Sequence, residues 1–78
     1  MAGSALAEWE LAASRGDPVA MGYLGIAYLY GRGADRDVAE AYCWLASAVG
    51  LGNTAVEREF HLAEQELTEI PLACASSH

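Results

Sequence analysis

The sequence predicts an all-α fold, a short α/α solenoid of antiparallel helix pairs with four or five helices and no sheet. Three observations carry this. Apolar residues recur at helical spacing, and no segment alternates with period two over a useful length. Glycine, with Asp or Asn after it, punctuates the chain at Gly16-Asp17 and Gly52-Asn53. The chain also matches itself at an offset of about 36 residues, with Ala12 on Ala48, Gly16 on Gly52, Asp17 on Asn53, Ala20 on Val56 and Ala27 on Ala63. A period of roughly 20–50 residues marks stacked repeat architectures.

Each element has a local justification. Ser4 is a candidate cap for a first helix running to Arg15, with Gly16 ending it in the left-handed conformation. Asp17 is the N-cap of a second helix and Pro18 its first residue, where the missing N–H is harmless. That helix runs to Tyr30 and stops at Gly31. The turn from Gly31 to Arg36 holds two glycines, Gly31 and Gly33, where positive φ is needed. Asp37 and Glu40 form a capping-box-like start to a third helix that ends near Gly50 or Gly52. Asn53 caps a fourth helix to Leu67, and Thr68 with Pro71 opens a short fifth segment. The domain reading is a half repeat over 4–16, a full repeat over 17–52 and a degenerate capping half over 53–78. Terminal repeats are atypical because one side faces water.

The unit from Gly16 to Gly52 carries Ala20, Leu24-Gly25, Tyr28, Gly31-x-Gly33, Asp37, Ala41, Trp44, Ala48 and Gly52. This resembles the Sel-one-like repeat, a relative of the tetratricopeptide repeat with a longer, glycine-marked turn. The resemblance implies adaptor and scaffold roles in protein complexes. It carries over no catalytic residue, because the motif positions are structural in the family. The final half departs from the pattern, with His61, Glu64 and Leu67 where Gly25, Tyr28 and Gly31 stand in the full unit.

Composition narrows the function classes. The chain has 78 residues and a formal net charge of −7, with four arginines and no lysine. Phosphate binding needs clustered Lys and Arg, so nucleic acid is not expected as a partner. The same balance disfavours anionic membrane surfaces. The longest uncharged run, Pro18 to Gly31, is too short to span a bilayer, which needs about 20 residues. The start of the chain has Glu8 and Glu10 and no basic region, unlike a secretory signal. Cys43 and Cys74 form no ligand spacing, and two unframed thiols point to a reducing, cytoplasmic setting.

Chemistry is sparsely provided for. Gly31-Arg32-Gly33 lies between helices and lacks a subsequent Gly-Lys-Ser/Thr, so it reads as a turn and not a phosphate cradle. Asp35 and Asp37 are too few for a metal site. His61 can pair with Glu57 or Glu64 along its helix. A small hydrolase would need Cys43 or His61, with a hydroxyl such as Ser47, brought together with convergent donors. No catalytic residue, cofactor or metal is therefore proposed, and Cys43 reads as an inert, partly buried side chain. Trp44 reads as core, packed with Leu24, Tyr28 and Ala48, and Trp9 as a packing or contact residue at the end helix.

The second helix gives the functional expectation. It is uncharged, and the stripe opposite its Ala20-Leu24-Ala27-Tyr28 face is apolar or aromatic: Gly22, Tyr23, Ile26, Leu29 and Tyr30. A helix apolar all round is usually buried all round. The expected function is a non-enzymatic interaction module that binds a partner protein on Tyr23, Ile26, Leu29 and Tyr30, with Trp9 beside them. The alternative is an oligomer subunit whose main contact is with itself. Fewer than the roughly three repeats needed for independent stability are present. A homodimer is therefore expected, through the Tyr23–Tyr30 stripe or by stacking the open ends at Trp9 and Phe60.

Overall fold

The computed structural model describes residues 4–67. They form four α-helices, α1 (Ser4–Ser14), α2 (Pro18–Tyr30), α3 (Val38–Gly50) and α4 (Glu57–Glu66), with a 3₁₀ turn at Thr54–Val56 before the last. No strand occurs among the described residues. Neighbours in sequence are neighbours in space: α1 packs on α2, α2 on α3 and α3 on α4, with a smaller contact between α2 and α4. The segment expected at Thr68 and Pro71 lies outside the described residues, as do Cys74 and His78.

One turn is built twice. After α1, the N–H groups of Arg15 and Asp17 donate to the Ala12 carbonyl and that of Gly16 to Ala13, at 3.0–3.1 Å. After α3, Leu51 and Asn53 donate to the Ala48 carbonyl and Gly52 to Val49, at 2.9–3.2 Å. Gly16 and Gly52 both take positive φ, +89° and +97°, where a side chain is disfavoured. The residue after each glycine caps the next helical segment. Asp17 Oδ1 accepts from Val19 and Ala20, and Asn53 Oδ1 accepts from Ala55.

The local details refine the sequence reading at two places. Asp37 caps α3 by accepting from the Glu40 N–H at 3.1 Å. The reciprocal half of a capping box is absent, because the Asp37 N–H donates to the Tyr28 carbonyl at 2.9 Å and closes the α2–α3 turn. Asn53 starts the 3₁₀ turn, and α4 begins later, at Glu57, without a side-chain cap.

The core is made of small residues around a few leucines. Leu24, Leu29 and Leu45 are fully buried, with Ala13, Ala20, Ala27, Ala41, Ala48 and Ala63 between them. Gly25 explains how close α2 and α3 come. A Cβ added there would collide with the Leu45 side chain. Gly22 faces Asn53 Nδ2 and Val56 in the same way. Trp44 and Tyr28, expected inside, are only half-buried and lean on the core from its edge. The position next to Trp44, Leu45, is the one that enters the α2–α3 seam.

Candidate functional site: the exposed stripe of α2

α2 is packed by α1 on one side and α3 on another, with α4 in lesser contact, so its buried arc is wider than one stripe. Met21, Gly22, Leu24, Gly25, Ala27 and Leu29 all lie inside. This corrects the expected contact face. Leu29 is 2% exposed and belongs to the core, and Gly22 is covered by the 3₁₀ turn. Neither can meet a partner.

What stays outside is a different stripe. Val19, Tyr23 and Tyr30 are 52%, 50% and 48% exposed, and Ile26 is half-buried. Their steps of four, three and four residues keep them on one side of the helix. Val19 was not among the expected residues, although its place four before Tyr23 was readable as part of the series. Trp9 of α1 leans against this stripe, its ring 5.2 Å from that of Tyr23. Trp9, Tyr23, Ile26, Ala27 and Arg32 line a shallow cleft of about 330 Å³. Asp17 and Arg32 stand at the two ends of α2. The Arg32 guanidinium lies 5.3 Å from the centre of the Tyr30 ring. Arg32 makes no ion pair among the described residues.

The remaining candidates are placed elsewhere. His61 faces Glu64 at 3.4 Å on the exposed side of α4. Phe60 stacks on Tyr42 at 5.3 Å, joining α4 to α3, so this end is already partly covered. Arg36 bridges the turn to α4. Its Nε donates to the Leu29 carbonyl at 2.9 Å, and its Nη2 meets Glu66 Oε1 at 2.6 Å. No cluster of three or more His, Cys, Asp or Glu side chains suited to a metal occurs among the described residues.

Two groups are chemically perturbed. Tyr28 has its hydroxyl pKa raised above 10.0, first by burial, then by the charge of Glu10 and Glu40, a hydrogen bond with Glu10, and the charge of Asp37. Cys43 is disulfide-bonded. This corrects the expectation of free thiols and removes the reason it gave for a reducing compartment. No helix among the described residues is long and apolar enough to cross a membrane.

No protein-family model, no curated protein and no solved structure matches this chain.

Proposed function

We propose that this chain is a non-enzymatic protein-interaction module, a fragment of Sel-one-like repeat type, that docks a protein on the outer stripe of α2. The observation that carries the reading is that stripe itself. Val19, Tyr23 and Tyr30 are large, apolar or aromatic, and about half exposed, on a helix with no charged residue. Contiguous apolar surface of this kind marks interaction sites, and tyrosine and tryptophan are enriched where interfaces are buried. Trp9 and Ile26 line the same cleft as Tyr23. Leu29 has no part in it.

The repeat reading is supported by the twin turns at Gly16 and Gly52, which use equivalent hydrogen bonds at the sequence offset. The bonded Cys43 favours an oxidising compartment over the cytoplasm, because disulfides persist where thiols are not kept reduced.

Affinity capture from the native source, with wild type and Tyr23→Glu compared by mass spectrometry, tests the reading. The proposal expects a partner or a second copy retained by wild type and lost by the variant. Equal capture by both, with helix content unchanged, would move the contact off α2.

A further inference from the structure

We infer that the occupant of the α2 stripe is a second copy of this chain, laid antiparallel across a two-fold axis at the Leu24–Gly25 peptide bond. This rests on the proposal that the stripe is a protein contact face, and adds the partner and its direction.

The register of the stripe supports this pairing. Val19, Tyr23, Ile26 and Tyr30 are spaced symmetrically about the Leu24–Gly25 bond. When two such helices run antiparallel about that centre, Val19 meets Tyr30 of the second copy and Tyr23 meets its Ile26. Every large outward side chain of the stripe then faces another. A self-complementary patch of this kind is what a two-fold interface requires. The steps of four, three and four also match the seam of helices packed at a shallow angle.

Charge selects the same direction. Asp17 and Arg32 flank the stripe at equal distances from its centre. Antiparallel pairing sets each Asp17 against the Arg32 of the other copy, twice. Parallel pairing would set Asp17 on Asp17 and Arg32 on Arg32. Both groups have capacity to spare. Asp17 uses only Oδ1 for its helix cap, and Arg32 makes no ion pair among the described residues. Such exposed pairs add little affinity, so they set orientation while the apolar stripe supplies the contact. The whole chain holds a net charge of −7, yet α2 brings none of it to the seam. A seam of three to four turns lies near the lower limit for a specific interface, about 1,000 Å² in total, so the dimer dissociates on dilution.

Sedimentation equilibrium of the full chain, from about 5 to 500 μM, is the test for a contact of that size. The inference expects the mass to rise from 8.2 kDa towards twice that value. Tyr23→Glu stays monomeric throughout, and Arg32→Glu weakens the dimer severalfold by facing Asp17 with a like charge. Mixing Arg32→Glu with Asp17→Arg restores association, since the mixed pair has both contacts matched. Asp17→Arg also removes a helix cap, so circular dichroism checks its fold, and the Arg32→Glu result stands without it. A wild type monomeric over the whole range overturns the inference. If that monomer still captures a foreign protein through Tyr23, the interaction-module reading survives alone. A dimer indifferent to Tyr23→Glu, or one lost with Tyr23→Glu but unmoved by Arg32→Glu, also overturns it.

Discussion

At the scale of single residues, small side chains decide the packing. Gly25 is the clearest case, because Leu45 occupies the space its Cβ would need. Gly25→Ala should cost about 1–3 kcal/mol by overpacking, read as a lower midpoint in urea with an unchanged slope. Leu45→Ala should cost about 2–5 kcal/mol. Trp44→Ala should cost a comparable amount, since its large ring packs against the core although it is not fully buried. The motif residue was readable from sequence, but its depth was not. Helical spacing places Trp44 and Leu45 one step apart, and only the approach of α2 at Gly25 selects Leu45 for the seam. Tyr28 gives a pH prediction. Its folded pKa is raised, so the folded state favours the protonated phenol. The associated stability is fully present below the unfolded value of about 10 and is lost as pH rises through the higher folded value. Between pH 8 and about 11.5 the melting temperature of wild type should therefore fall relative to that of Tyr28→Phe, which cannot ionise.

At the scale of elements, the boundaries were legible because they are written in local chemistry. Gly16, Gly31, Gly33 and Gly52 all take positive φ, and Asp17, Asp37 and Asn53 all cap. Such signals need no tertiary context. The face of α2 was not legible in the same way. A uniformly apolar helix has no polar side to orient it, so Leu29 and Gly22 could be assigned outward until α1, α3 and the 3₁₀ turn were in place. Arg36 was missed because Glu66 lies far from it in sequence and its bond to the Leu29 carbonyl exists only once the α2–α3 turn has closed. Asn53 links two scales. Its Oδ1 caps the 3₁₀ turn, and its Nδ2 donates to the Pro18 carbonyl at 2.9 Å. Asn53→Ala should therefore cost more than a simple cap loss of about 1 kcal/mol. Asn53→Asp, which keeps the acceptor and loses the donor, should fall between it and wild type in chemical denaturation.

At the scale of the whole molecule, a short chain with an alanine-rich core has little margin. Domains this small bury only about 60% of their unfolded surface. The disulfide at Cys43 is one support, since such bonds contribute about 2–4 kcal/mol. A reducing agent should lower the melting temperature of wild type and leave Cys43→Ser unchanged, whereas equal melts with and without reductant would show that no such bond is formed. Association along α2 would be a second support, because it covers the apolar surface the fold leaves open. We propose Val19, Tyr23, Ile26 and Tyr30 as the contact face. The most direct measurement is a concentration series of amide proton–nitrogen NMR spectra. Concentration-dependent shifts are expected at those four residues and Arg32, with the Leu45 and Ala48 signals of α3 fixed. Shifts confined to α4 or Leu51, or none at any concentration, would contradict it.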